Sequence, residues 1–455
     1  MLILKIALGL FGLGIVVFVH ELGHFLAARW MGIGVEAFSI GWGKPILKKK
    51  VGDVEYRLGM FPLGGYCKMR GENEFREAWE SNASGVEPVK GTYFGASPWR
   101  RIVVCFAGPF FNLVFAALVM SFIWGFGFEV QTQGNRIVLA SEFDGGGLYP
   151  ADEAGLRSGD RIIEIDGKEI KYFHEIRRSI AINPDKQLSL AVYRQGEIIY
   201  LAITPELDKS TGAGRIGIMP WSDPVVADIV PASDAAIAGL APGDRIIRVN
   251  GEPVVHTLDI FKALSSTGPV ANSATAAVDY VRDEIEASAE IALSQDGESS
   301  MGIIFPHVQY RTPNLSPPAA LAKGVSESWN TLVISLRSLA LLFKGIELTN
   351  AVSGPVRITY MVGDVAAAGF GQSFSTGLRS MAEFLALISI ALCIMNLLPL
   401  PILDGGMIVL FIVEIARRKP LHPKTINVFQ TVGAALVFGI MIFAIFGDIQ
   451  YLARR

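Results

Sequence analysis

Charge is scarce in this chain. Only 18% of its 455 residues are Asp, Glu, Lys or Arg, against 51% hydrophobic, and the formal net charge is -3. That balance is too apolar for an ordinary soluble enzyme of this length, and it leaves no basic excess for holding a nucleic acid. Cysteine is scarcer still: Cys67, Cys105 and Cys393 lie far apart, the last two in apolar runs, with none between Glu129 and Glu383. Neither a disulfide framework nor a cysteine zinc site fits that spacing. The composition is that of a membrane protein with soluble insertions.

Within the first apolar run, Lys5 to Arg29, the only strongly polar side chains are His20, Glu21 and His24. The run is about the length a helix needs to cross the hydrocarbon layer. Residues i and i+4 are offset by about 40° on a helix, so His20 and His24 share a face and can ligate one metal, with Glu21 beside its open position. Ionisable groups inside a span cost roughly 2.5–3.5 kcal/mol each on insertion scales, and a divalent cation offsets that cost. Imidazole ligands suit zinc without excluding other divalent ions. The stretch also has the outline of a signal peptide with a cut near Ala27-Ala28, but cleavage there would remove the metal site, so a retained anchor is expected.

From Gly32 to Arg101 eleven basic residues flank two apolar runs, which marks the cytoplasmic side. Ser39–Lys44 and Phe61–Met69 are glycine-punctuated, β-like segments that predict a short hairpin beside the membrane. No charge occurs from Ile102 to Phe128, a second span carrying Gly108-Pro109-Phe110-Phe111-Asn112. The Pro and Asn there read equally well as packing devices or as functional groups.

Residues 129 to about 307 turn polar and strand-rich and contain a repeat. Ala154–Gly167 recurs as Ala238–Gly251, shifted by 84 residues without a gap. Asp166-Gly167 and Asn250-Gly251 are type I′ hairpin dipeptides. Helices are expected at Phe173–Ile182 and Leu258–Leu264, and each copy closes on a similar strand, Arg215–Pro220 and Met301–Pro306. The repeat resembles the PDZ domain in its bacterial, circularly permuted arrangement, whose peptide-binding edge strand comes last.

Beyond it, Arg337 interrupts an apolar stretch between Asn314 and Asn350, predicting an interfacial amphipathic helix. A third span is expected from Phe384. It ends at Pro399 and Pro401, which break the helix just before Asp404-Gly405-Gly406, and Asp404 is the natural third ligand for the histidine pair. Arg417, Arg418, Lys419 and Lys424 put the next loop on the cytoplasmic side, and Val428–Gly447 makes a fourth span.

These motifs together, His20-Glu21-x-x-His24, Asn396-x-x-Pro399-x-Pro401-x-Leu403-Asp404-Gly405 and the tandem repeat, resemble the site-2 protease family of intramembrane zinc metalloproteases, in its bacterial regulator-of-sigma-E branch. The fold implied is a polytopic α-helical membrane protein with four spans and two inserted circularly permuted PDZ-like α+β domains. Its divisions are a membrane core at 1–128, repeats at 129–221 and 222–307, a linker with the interfacial helix at 308–380, and a second core part at 381–455. The resemblance implies that His20, His24 and Asp404 ligate Zn2+ and that Glu21 is the catalytic acid/base. Asn396, Gly41, Trp42, Gly43, Gly64 and Gly65 would position an extended substrate. The implied substrates are single-span membrane proteins trimmed first by an upstream site-1-type protease, an anti-sigma factor or a signal-peptide remnant among them. Peptide C-termini are implied ligands of the repeats, which lie on the periplasmic side of a bacterial inner membrane, where they act chiefly as a size filter. A catalytically silent PDZ scaffold and a membrane metal carrier are the competing readings, and an intact Glu21 speaks against both.

Overall fold

The computed structural model describes residues 2–81, 83, 85–143, 146–209, 212–265, 275–292, 301–341 and 354–453. They form two units: residues 1–128 with 313–455, and residues 129–312.

The first unit is a helical bundle with a β-ribbon. In chain order it has α1 (Leu2–Trp30), β1 (Val35–Val51), β2 (Val54–Met69), α2 (Glu72–Glu80) and α3 (Pro98–Phe126). The chain then enters the second unit, whose two longer helices are α4 (Phe173–Ala181) and α5 (Thr257–Ser265). It returns as α6 (Pro317–Leu341), α7 (Pro355–Gln372), α8 (Phe374–Leu397), α9 (Asp404–Arg417) and α10 (Pro423–Ala453). Among the described residues four helices are long and apolar enough to span a membrane: Ile6–Trp30, Pro98–Phe126, Phe374–Leu397 and Pro423–Asp448. The four expected spans are therefore present. The third begins ten residues before Phe384, because Arg379 and Glu383 form an i,i+4 pair at 3.7 Å within one continuous helix.

The ribbon is longer than the expected hairpin. Ala37–Ile40 pair on one side with Gly65–Lys68 and on the other with Glu55–Leu58, while Pro45–Val51 return against Val54–Gly59. Phe38 packs edge-on against Phe18 and Phe25 of α1, with ring centroids 5.9 and 5.2 Å away. The sheet thus lies along the second half of that span and not beyond it. The side chains of Phe61–Leu63 lie outside the described residues.

Two corrections concern the linker expected at 308–380. Val308–Arg311 pairs with Glu129–Thr132 and closes the inserted unit, which therefore runs to residue 312. The helix expected to lie along the membrane surface is α6, and it is part of the bundle: Gly324 meets Ser121 of α3 too closely to admit a Cβ, and Leu332 packs in the cluster around Ala116. Ala320, Gly324 and Ser328 recur at four-residue spacing, the small-residue stripe that lets helices approach in a membrane. The end of that expected segment, residues 342–350, lies outside the described residues. Helix α7, not foreseen, packs on Gly9 and Gly12 of α1 through Thr359 and Val362. Buried Asp448 accepts hydrogen bonds from the backbone N–H groups of Gly354 (2.9 Å) and Arg357 (3.0 Å), so a carboxylate from α10 caps the start of α7.

Helix α9 is fastened to α3 by a buried ion pair. Arg101 donates to Glu414 at 2.6 Å, the two are 4% and 7% exposed, and the guanidinium lies 4.4 Å from the Phe411 ring centre. Removing one partner strands a buried charge, which costs about 3–5 kcal/mol, whereas an apolar pair of similar volume is close to neutral. Glu414→Ala is expected to lower the detergent unfolding temperature strongly and the Arg101→Met/Glu414→Met double variant to recover most of the loss.

The second unit repeats its own design. One four-stranded sheet has the order 168–169, 161–165, 188–194, 197–203, and the other has 252–253, 245–249, 275–282, 285–292. Asp166 and Asn250 have φ of 48° and 50°, each followed by a positive-φ glycine, as the type I′ turn requires. Asp160 is clasped by Arg194 and Asp244 by Arg282, both with contacts of 2.6–2.7 Å. The Arg282 guanidinium holds the Asp244 carboxyl below its usual range, although burial opposes the shift. Short closing strands at Ile218–Pro220 and Ile303–Ile304 pair with Ile137–Leu139 and Asp228–Ile229.

Candidate metal centre

Two helices deliver the polar cluster. His20 and His24 project from one face of α1 with their Nε2 atoms 3.1 Å apart. Asp404, the first residue of α9, places Oδ2 3.2 Å from His20 Nε2 and 3.5 Å from His24 Nε2. Among the described residues this is the group that could hold a metal ion. Donor atoms about 2.0–2.1 Å from zinc at tetrahedral angles lie about 3.3 Å from one another, which is the triangle observed.

The surroundings fit the same chemistry. His24 Nδ1 donates to the Val104 carbonyl at 2.8 Å. That bond puts the ring proton on Nδ1 and leaves Nε2 as a lone-pair donor toward the metal position, the usual arrangement around ligating imidazoles. His20 Nδ1 faces the carboxamide of Asn112 at 3.3 Å, Asn112 is fully buried, and its Oδ1 has no other partner. The atom at 3.3 Å is the amide Nδ2; with Nε2 of His20 committed to a metal, Nδ1 carries the proton, and the Asn112 amide turned over, so that Oδ1 takes the place of Nδ2, is the acceptor available to it. Ser389 of α8 in turn donates to the Asn112 carbonyl at 2.9 Å. The Gly108–Asn112 stretch thereby acquires a role that the sequence left open. Gly108 meets the two imidazoles so closely that a Cβ would come within 3.0 Å of both rings. Asn112→Ala is expected to weaken zinc about 10–100-fold, read by competition with a chelator.

Asp404 owes its position to a broken backbone. The chain leaves α8 at Leu397, turns through Leu398–Leu403, and holds Ile402 at φ 74°, a conformation that a β-branched residue rarely adopts. Gly405 and Gly406 then pass so close to the carbonyls of Leu397, Leu398 and Leu400 that a side chain would not fit.

Glu21 is not among the three donors but borders them. It lines the same cavity as Cys67 of β2, and a Cβ on Gly65 would stand 3.2 Å from Glu21 Cγ. Strand β2 therefore runs past the acid. Of the residues expected to position substrate, Gly65 lies at the site. Gly64, at φ 89°, leaves room for the Trp42 indole, and Gly41 and Gly43 adopt positive φ on either side of exposed Trp42. Asn396 stands apart: it is half-buried in the last turn of α8, and its side chain makes no hydrogen bond among the described residues. A cavity of about 450 Å³ opens onto Glu21, His24 and Asp404 and is also lined by Cys67, Cys105 and Glu72.

The arrangement suits hydrolysis assisted by a metal, and comparison with known proteins agrees. The profile of peptidase family M50 matches residues 8–440. A protein named as a zinc metalloprotease from Treponema pallidum is 37% identical over 451 residues, covering 99% of both chains. Another so named, from Borreliella burgdorferi, is 31% identical over 97% of both chains. The regulator of sigma E protease of Haemophilus influenzae is 30% identical over 96% of both. This chain belongs to peptidase family M50, the site-2 protease family, and is a zinc-dependent metalloprotease of the membrane.

Proposed function

We propose that the enzyme hydrolyses peptide bonds within or beside the membrane-spanning segment of single-span proteins. The observation that carries this reading is the placing of the donor triangle and Glu21 inside the length of α1, among apolar helices, with a strand running past them. His20, His24 and Asp404 hold the zinc, which supplies the Lewis acidity that makes water nucleophilic near neutral pH. Glu21 takes the proton from the attacking water and returns it to the leaving amine. A helical substrate segment has its backbone groups paired internally, so it must unwind before attack. An extended stretch beside Gly64–Cys67 would find new partners for those groups, which lipid cannot supply. Gly41, Trp42 and Gly43 border that path, and Asn396 steadies the substrate backbone from α8.

The duplicated unit is read as two circularly permuted PDZ-like domains on the outer side of a bacterial inner membrane, since the basic loops at Lys44–Arg101 and Arg417–Lys424 mark the cytoplasmic face. Its insertion between α3 and α6 suits a size filter that admits substrates already trimmed by another protease. Capture of a new C-terminus at the Ile216–Met219 or Gly302–Phe305 strands is secondary. The name of the Haemophilus relative points to an anti-sigma factor as one substrate class. The test is to join residue 128 to residue 313, reconstitute the protein, and compare full-length with pre-trimmed single-span substrates. A filter predicts that the full-length substrate becomes cleavable while the trimmed one is still cut. Loss of trimmed-substrate cleavage in a zinc-loaded protein would show that the repeats recruit instead.

A further inference from the structure

The ribbon β1–β2 carries a feature that hydrolysis does not use. Its depth is set by α1. Gly65 lies against Val17 and Glu21, whereas Tyr56 packs toward Phe25, with ring centroids 6.2 Å apart, and Ile33 bonds back to Ala28 near the helix end. Gly65 and Leu58 both pair with Ile40, so two strand residues, about 7 Å along the ribbon, separate this level from that of Tyr56. Through the pairing, Trp42, Pro45 and Leu47 fall at the deeper level opposite Phe61, Gly59 and Leu58, and Lys49 and Val51 at the shallower one opposite Tyr56 and Val54.

Polarity follows that depth. Trp42, Ile46, Leu47 and Met60 are 58%, 62%, 65% and 53% exposed at the deep end. Lys48, Lys49 and Lys50 are exposed at the shallow end. Successive strand residues face opposite ways, so Lys48 and Lys50 emerge on one face and Lys49 on the other. A ribbon laid flat on a surface would be basic on one face only, whereas this one is basic all round at a single level. From Lys44 to Met60 five basic residues meet two carboxylates, Asp53 and Glu55, and Glu55 is already bonded to Arg57 at 2.7 Å.

We propose that Lys48, Lys49 and Lys50 bind acidic phospholipid headgroups of the leaflet in which α1 ends, with the apolar end of the ribbon immersed in the acyl chains beneath. Juxtamembrane lysines are attracted to anionic lipid over about a Debye length, and long side chains reach headgroups while their stems stay in apolar surroundings. The anchor fixes how deep the ribbon sits, and with it the level at which Gly65 and Cys67 meet Glu21.

The probe is phosphatidylglycerol. The full chain is reconstituted in phosphatidylcholine vesicles containing one-fifth phosphatidylglycerol, extracted mildly, and its retained lipids are counted by native mass spectrometry. Wild-type protein is expected to retain phosphatidylglycerol in preference, and Lys48→Gln/Lys49→Gln/Lys50→Gln to lower that preference at least about fivefold. The matching Lys→Arg triple and a Lys419→Gln/Lys424→Gln control should keep it. High salt should weaken the preference in the wild type, and equimolar inorganic phosphate should not, which separates a lipid from a free anion. Should the glutamine triple not fold, the salt response and the arginine triple still decide. Unchanged lipid preference in the glutamine triple overturns the proposal, and if that variant also loses cleavage the lysines read the substrate instead of the lipid.

Discussion

Glu21→Gln is expected to lower cleavage of a single-span substrate by a factor of about 10²–10⁴, the usual contribution of a positioned acid/base, while the protein keeps one zinc. Glutamine has the shape of glutamate and fits the same space beside Gly65 and Cys67. The donor triangle of His20, His24 and Asp404 does not include it. Only the ability to take up a proton is lost. Metal content by mass spectrometry and turnover in vesicles must therefore separate. Wild-type turnover in Glu21→Gln would remove Glu21 from the chemistry, and loss of zinc would make it a ligand.

The second large effect is expected from the smallest side-chain change. Alanine normally stabilises a helix interior relative to glycine by about 0.5–1 kcal/mol, so Gly108→Ala in α3 would ordinarily be harmless. Here the added methyl group would meet both imidazole rings within 3.0 Å. The rings are already held by Val104 and Asn112 and have nowhere to retreat. The triangle must open, and zinc affinity is expected to fall by at least about 100-fold, with activity lost in proportion. Gly125→Ala on the same helix meets nothing nearer than Ala320 at 3.7 Å and should bind zinc normally. Equal zinc affinity in the two variants would contradict the geometry given for the centre.

The grouping of His20, His24 and Asp404 was legible because a membrane makes charge expensive. His20, Glu21 and His24 stand out in an apolar run, and Asp404 stands out where Pro399 and Pro401 end a helix. The same cue misleads in the helices that carry a few charges for other reasons. Arg379 and Glu383 hid the first ten residues of α8, and Arg337 made α6 look superficial although its Ala320, Gly324 and Ser328 stripe packs on a span. Helix α7 contains Arg357 and Asp364 and was missed. Asn112 and Gly108 were visible as unusual residues, but a polar amide and a glycine inside a span serve packing as often as chemistry. Only the contacts with His20 and His24 distinguish the two. The three consecutive lysines were counted in the sequence only as cytoplasmic charge, whereas they continue a strand that turns back to pair with Arg57, Tyr56 and Glu55.

The most direct test of the central claim is the zinc K-edge X-ray absorption spectrum of the wild-type protein. Cys67 and Cys105 line the same cavity as His24 and Asp404, so a sulfur-ligated site is a real competitor. Two imidazole nitrogens and light oxygen donors at about 2.0–2.1 Å, with no sulfur shell, are the result expected of His20, His24 and Asp404. A shell at about 2.3 Å, the zinc–thiolate distance, would contradict it.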